Sequence, residues 1–219
     1  MVHNYYIIGA AGQARQAASI LNAVDPGATP VAFLDKVDIN STRSIHGIPV
    51  VSESILDNIK PEDVFLVNGM GRPNRRKPIE KFVSKGFSFL RLIHPRASVG
   101  EYVTFGEGTV IQSGVQLMTD ISFGRFVLAD LSATIGHDVT IGDYTTISTG
   151  VNIAGGVIIG NGTWIGSGSV IIENIRIGDN SVIGAGSVVT RDIGSNKLAY
   201  GVPARVVRSI QDASDILMA

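Results

Sequence analysis

Any catalysis by this chain would have to come from a short set of side chains, because the sequence holds four histidines and no cysteine. Without thiols there is no thiolate nucleophile, no disulfide and no cysteine-based zinc or iron–sulfur site. Four separated histidines suggest no metal site either. His3 lies at the amino terminus, His46 in a loop before Gly47 and His94 in a turn before Pro95, none with an acid beside it. His137 differs, since it is followed by Asp138 in the unit Ile135-Gly136-His137-Asp138-Val139-Thr140. An imidazole titrates in the range needed to take a proton from an attacking amine or hydroxyl. A neighbouring carboxylate can orient the ring and stabilise its positive charge. Strand alternation would point the two side chains apart, so they need a corner conformation to cooperate. Taken by itself, an outward histidine is more commonly a plain surface residue.

The element that must hold this pair is legible in a six-residue period. Stepping from Val99 by six gives Phe105, Ile111, Leu117, Phe123, Ala129, Ile135, Ile141, Ile147, Ile153, Ile159, Ile165, Ile171, Ile177, Ile183 and Val189, with only Ala129 small. The positions four residues after each of these, such as Val103, Thr109, Val115 and Ile121, are small or β-branched, which suits short strands and tight corners. A period of six fits neither a helix nor a simple strand, so each unit reads as a short strand plus a corner in a solenoid. Three units make one coil, so residues eighteen apart lie above one another, and the run spans about five coils at roughly 4.8 Å each. The glycines that often follow the aliphatic residue, Gly136 among them, are expected to permit the corner backbone.

The period also serves as a ruler. Eighteen beyond His137 is Gly155 and eighteen beyond Asp138 is Gly156, so backbone becomes reachable one coil from the candidate base. A free N–H there suits an oxyanion donor, although these glycines equally suit simple relief of a corner. Eighteen before Asp138 is Asp120, which stacks a second carboxylate that would share a proton or a water with the first. Thr149, Ser167 and Ala185 fall at one offset in successive coils and form a shallow groove of small side chains.

Before the repeat, Tyr5 to Ile8 reads as a strand, Gly9 to Gly12 as a turn and Gln13 to Val24 as a helix. Strands are expected at Val31 to Leu34, Ile48 to Val51, Val64 to Val67 and Phe87 to Leu92, with helical stretches at Ser52 to Asn58 and Arg75 to Lys85. This alternation suggests a small parallel α/β sheet, Rossmann-like in character. A strand, glycine turn and helix can set a diphosphate against the free N–H groups of a helix start. Asp35 follows the second strand, where an acid often meets a ribose or base. Gly9 and Gly12 supply only part of the dinucleotide fingerprint, and Arg15 stands three residues after Gly12 where the pattern ends in glycine, which argues against a nicotinamide-dependent reductase. Lys36, Arg72, Arg75 and Arg76 are candidates to meet phosphates, though each alone reads better as a solvated surface charge.

With 219 residues, 44% hydrophobic and 17% charged, and a net charge of −1, the chain has enough apolar residues for a core and no general pull toward nucleic acid or anionic lipid. No segment approaches the roughly 18 apolar residues of a membrane span and no basic leader precedes the first apolar run, so a cytoplasmic protein is expected. The expected domains are 1–92, a small α/β unit; 93–194, the repeat; and 195–219, a carboxy-terminal tail.

From Ile93 to Arg208 the pattern, with its ending Gly201-Val202-Pro203-Ala204-Arg205, resembles the hexapeptide-repeat acyltransferases. The fusion of a truncated βαβ unit to that repeat looks like the bacterial nucleotide-sugar N-acetyltransferases and the related sialic acid O-acetyltransferase-like proteins, over nearly the whole chain. The resemblance implies a left-handed parallel β-helix, a homotrimer and an acetyl-CoA site between neighbouring subunits. It implies His137 as general base with Asp138 as its orienting acid, and cofactor contacts at Thr146, Gly155, Ser167 and Ala185, with Arg205 expected as a tail cation near the cofactor phosphates. Substrate contacts carry onto Ala11, Gly12, Gln13, Asp35, Lys36 and Gly69. The family usually has histidine where Gln13 and Thr146 stand here, and often a second acid at Lys36. The implied activity is acetyl transfer from acetyl-CoA to the 4-amino group of a nucleotide-linked deoxyamino sugar. Alternatives are O-acetylation of a sialic acid-type sugar and a non-catalytic trimeric scaffold.

Overall fold

The computed structural model describes residues 4–38, 40 and 42–217, so His3 lies outside the described residues. The chain divides into two compact units, one of residues 1–71 with 75–92 and one of 72–74 with 93–219.

The first unit is built on strands β1 (Asn4–Ile8), β2 (Ala32–Asp35), β3 (Ser44–Ile45), β4 (Ile48–Ser52) and β5 (Val64–Asn68), with helices α1 (Gly12–Val24) and α2 (Arg76–Val83). Sheet order is β3-β4-β2-β1-β5, parallel except for β3, which pairs antiparallel with β4. Ile7, Ile8, Leu34, Leu66 and Val67 are buried, the near-continuous apolar pattern of parallel strands covered on both faces. Helix α1 turns Ala14, Ala17, Ile20 and Leu21 inward at helical spacing. The chain leaves β1 toward β2 on one side while β5 flanks β1 on the other, which makes the carboxyl ends of β1 and β5 a topological switch point. Two expected elements differ. Ser52 accepts the Ser54 N–H and starts a 3-10 turn over Glu53–Asn58 rather than an α-helix, and the strand expected over Phe87 to Leu92 reduces to a bridge between Leu66 and Phe89.

In the second unit, strands of two residues stack in parallel ladders exactly one coil apart, as in Leu117↔Ile135↔Ile153↔Ile171↔Val189. Three sheets result, the third opening with Leu92–Ile93 and closing with the hairpin Lys197–Gly201 and Ala204–Ser209. The second residue of each strand is the repeat residue, and these fill a continuous interior. Ala129 is fully buried between the partners Ile111 and Ile147, whereas Val99 in the first coil is 41% exposed, having no coil beneath it. The glycine directly after the repeat residue is not the residue that turns the corner. Its role is steric: a Cβ on Gly136 would lie 2.7 Å from the Gly155 nitrogen. The left-handed residue comes two positions later, and it is Asp120, Asp138 or Asn174 as readily as glycine.

The corner through Asp143 is cross-linked twice. Outside, the side chains of Asp143, Asn161, Asp179 and Ser195 accept the N–H groups of Arg125, Asp143, Asn161 and Asp179 one coil below. Inside, Thr163 Oγ1 donates to Gly178 O (2.7 Å) and accepts the Ser181 N–H (3.3 Å), and Thr145 and Ser181 repeat the arrangement. Beyond the hairpin, Ile210 and Ala213 cover Val182 beside Trp164 and Leu198. Among the described residues no helix is long and apolar enough to cross a membrane.

Candidate active site

The corner after strand Thr134–Ile135 carries His137 and Asp138. Asp138 adopts φ 57°, a left-handed conformation that an aspartate tolerates, and its N–H donates to Thr119 O (3.2 Å) in the coil below. That turn overrides strand alternation and brings Asp138 Oδ2 to 2.7 Å from His137 Nδ1. Both side chains are more than half exposed, at 56% and 68%, and so reachable. An ionised carboxylate only accepts, so a neutral imidazole in this pair carries its proton on Nδ1 and its lone pair on Nε2. That free edge rests on Gly155, where a Cβ would lie 2.7 Å from both Nε2 and Cε1. The Gly156 N–H donates to His137 O (2.9 Å), which ties the two coils together at this point. The Gly155 N–H donates to no described residue, in contrast to the capped amides of the Asp143 corner. Base and unspent donor therefore stand one coil apart.

Asp120 occupies the same left-handed position one coil below Asp138, with φ 58°. Its Oδ2 lies 2.8 Å from the Thr119 hydroxyl, which also reaches Glu101 O. Thr119 thus supports both acids, a role that no motif in the sequence signals. Of the other histidines, His94 uses Nδ1 to accept the Arg96 N–H, and His46 sits in a turn at φ 51°.

Thr149, Ser167 and Ala185 do stack: the Gly168 and Gly186 N–H groups donate to Thr149 O and Ser167 O. Beside them Gly150, Gly168 and Gly186 face open space, with nothing within 4 Å of a built Cβ. This trough is a different corner from that of His137. Strands Asn152–Ile153 and Val170–Ile171 separate the two, so they stand at opposite ends of one side of the coil. One chain alone does not bring Ser167 and Ala185 beside His137. Thr146 lies on the third sheet, 1% exposed, its Oγ1 without a partner among the described residues. Arg205, in the terminal hairpin, turns back so that Nη1 donates to Ala204 O (2.9 Å).

In the first unit, the glycine turn closes with the Gly9 N–H on Leu34 O (2.7 Å), and Gly9 has φ 97°. Ala11 precedes α1 without a side-chain cap and the first turn holds no acid, so Gly12 and Gln13 open a helix whose positive end is uncompensated by its own side chains. Gly69 packs against the end of β1 and the first turn of α1 so closely that a Cβ would meet Ile7 Cγ2 at 2.6 Å, Ile8 O at 2.7 Å and Ala14 Cα at 2.9 Å. Gln13 Nε2 and Asn68 Nδ2 are both buried without a partner among the described residues. Asp35 Oδ1 accepts the Lys36 N–H (2.8 Å) and its Oδ2 lies 3.6 Å from Arg43, a cation outside every motif. Ala11, Gly12, Gln13, Gly69 and Asp35 therefore gather at the carboxyl ends of the strands. Lys36, Arg72 and Arg76 are exposed, but Arg75 corrects the expectation of a solvated charge: its side chain is fully buried. Among the described residues no cluster has the ligands for a metal ion.

The model of the family described as bacterial transferase hexapeptide (six repeats) matches residues 156–191. No curated protein sequence matches the chain significantly. Among solved structures, a histidine-to-asparagine variant of perosamine N-acetyltransferase from Caulobacter crescentus, in complex with CoA and GDP-perosamine, is 31% identical. Its TM-score is 0.86, over 95% of this chain and 99% of that one. The acetyltransferase domain of PglB from Neisseria gonorrhoeae, in complex with acetyl coenzyme A, is 27% identical with a TM-score of 0.86, over 94% of this chain and 99% of that one. WeeI from Acinetobacter baumannii, at 23% identity and a TM-score of 0.67 over 94% and 100% of the two chains, shares the fold.

Proposed function

Because the chain belongs to the hexapeptide-repeat acyltransferases, among the bacterial nucleotide-sugar acetyltransferases, and is an acetyl-CoA-dependent enzyme, we propose that it acetylates the 4-amino group of a nucleotide-linked deoxyamino sugar. The observation that carries the chemistry is the His137–Asp138 pair at 2.7 Å with its free ring edge against Gly155. The sugar nitrogen attacks the thioester carbonyl carbon while His137 Nε2 takes a proton from it. Asp138 holds the ring and balances the imidazolium, and the Gly155 N–H receives the carbonyl oxygen as it gains charge. The tetrahedral adduct then breaks its carbon–sulfur bond, and the departing thiolate takes the proton from His137, leaving amide and free CoA.

In this reading the amino-terminal unit, Rossmann-like, holds the nucleotide. The start of α1 at Ala11, Gly12 and Gln13 faces the diphosphate, Gly69 lets the loops approach, and Asp35 and Lys36 meet the ribose or base. The amino-terminal unit is taken as residues 1–92, the β-helix, left-handed, as 93–194, and the tail as 195–219. Pantetheine runs along the Ser167 and Ala185 trough, with Thr146 and Arg205 as further cofactor positions. Separation of that trough from His137 within one chain supports a homotrimer in which a neighbour supplies the cofactor wall. The enzyme acts in the cytoplasm, on a small-molecule substrate. GDP-perosamine, bound by the Caulobacter protein, names a first candidate for the acceptor.

The test is His137→Asn, assayed with acetyl-CoA and a panel of nucleotide 4-amino sugars. Loss of a general base is expected to lower kcat by roughly 10²–10⁴-fold, with both Michaelis constants little changed. Near-normal kcat refutes the role of His137, and acetyl transfer to sugar hydroxyls but to no amine refutes the acceptor.

A further inference from the structure

Arg43 lies just ahead of β3, where its carbonyl accepts the Val50 N–H (2.8 Å) and so ties the segment to β4. From that anchor its side chain reaches two other loops. Nη2 donates to Ala10 O in the glycine turn (3.3 Å), and Nη1 lies 3.6 Å from Asp35 Oδ2 after β2. The remaining Asp35 oxygen already accepts the Lys36 N–H. Arg43 and Asp35 side chains are 50% and 40% exposed. An ion pair so exposed and so long contributes little to stability, so stability is a poor account of the arrangement.

The two loops joined by this guanidinium are those at which the proposed function sets a nucleotide, and the inference rests on that reading. A diphosphate at the start of α1 brings at least two negative charges near the Asp35 carboxylate. Left alone, the acid that serves ribose or base would repel the phosphates. A guanidinium in contact with both loops cancels that repulsion and presents a planar fork of donors suited to phosphate oxygens. Its backbone anchor on β4 holds the charge over the carboxyl ends of β2 and β1, on the β2 side of the β1–β5 switch point.

We propose that Arg43 is a nucleotide-recognition residue, the cation that lets a carboxylate and a nucleoside diphosphate occupy adjoining loops of the amino-terminal unit. Its signature is the preference for a nucleoside diphosphate over the bare nucleoside. That preference separates a charge effect from any contact Asp35 makes with ribose or base.

The full-length protein, Arg43→Gln, Arg43→Lys and the double variant Arg43→Gln with Asp35→Asn are titrated with UDP, GDP, uridine and guanosine. Arg43→Gln is expected to reduce the diphosphate-over-nucleoside preference roughly tenfold, as loss of a unit charge several ångströms from the phosphates requires. The double variant recovers part of that preference, because the repelling carboxylate is gone. Arg43→Lys, which keeps the charge without the fork, falls between, and the Michaelis constant for acetyl-CoA stays unchanged in all three. Equal loss for diphosphate and nucleoside, or no recovery in the double variant, overturns the inference. If the wild-type protein binds a diphosphate and Arg43→Gln binds it as well, only Arg43 is refuted. If the wild-type protein binds neither diphosphate, the nucleotide reading of this unit falls with it.

Discussion

A histidine gains a use in catalysis from what fixes its ring, and here two neighbours do so from opposite edges. Asp138 meets Nδ1 and Gly155 leaves room for the Nε2 edge. Gly155→Ala tests the second neighbour. The new Cβ falls 2.7 Å from the ring, but the atoms it meets end a mobile side chain, so the ring swings away and the coil stays intact. Since a displacement of about 1 Å can cost on the order of a hundredfold in rate, kcat is expected to fall by that much while the thermal midpoint barely moves. Asp138→Asn tests the first. An amide at that position can donate toward Nδ1 and favour the wrong tautomer, so kcat is expected to drop by roughly 10²-fold or more, with binding of CoA, measured by calorimetry, unaffected. The approach of Gly155 to His137 can be read from sequence by counting eighteen. The same count run backwards lands on Thr119, but not on its role, because the backbone carbonyl it offers Asp138 is one that any residue type would provide and its hydroxyl contact with Asp120 follows no motif. Arg43 escapes for another reason: nothing in the order of residues tells that a side chain after β2 folds back over the β1 turn.

At the scale of elements, each coil is held by apolar stacking inside and by its corners. The repeat made the sheets legible because one side-chain period governs every strand, and the alternation of elements made the parallel sheet of the first unit legible. The corners were less so. Glycines after the repeat residue suggested a conformational need, whereas the structure assigns them a steric one and gives the left-handed turn to residues such as Asp138 and Tyr144. The inner hydroxyl ladder gives a direct test of corner energetics. Thr163→Val keeps the shape but strands both Gly178 O and the Ser181 N–H without a partner. At about 1–3 kcal/mol for each buried polar group left unsatisfied, urea denaturation is expected to show a lower midpoint, with kcat unchanged because the corner lies away from His137.

For the whole molecule, the position of the Ser167 and Ala185 trough at a different corner from His137 argues for assembly. Light scattering at micromolar concentration is expected to report three times the chain mass of 23.1 kDa. An active monomer would sink the placement of cofactor contacts on a neighbouring subunit. The charge balance adds nothing to this, since a net charge of −1 neither favours nor opposes association.

Stacking in steps of eighteen residues also bears on how such a chain can change length. Removing one residue between His137 and Gly155 would throw every later strand out of register, whereas adding a full turn of eighteen is a change the ladder absorbs. Placed after Asn174, such an extra turn leaves the His137–Gly155 step intact and lifts Ala185 and the terminal hairpin by one rung of roughly 4.8 Å. Insertions and deletions within the regular coils up to Val189 are thereby quantised, whereas the last step, where Ile183 pairs with Ala199, closes in sixteen residues. Lineages that differ in length inside the regular coils should differ by whole turns, with a reach between base and hairpin that comes in discrete sizes.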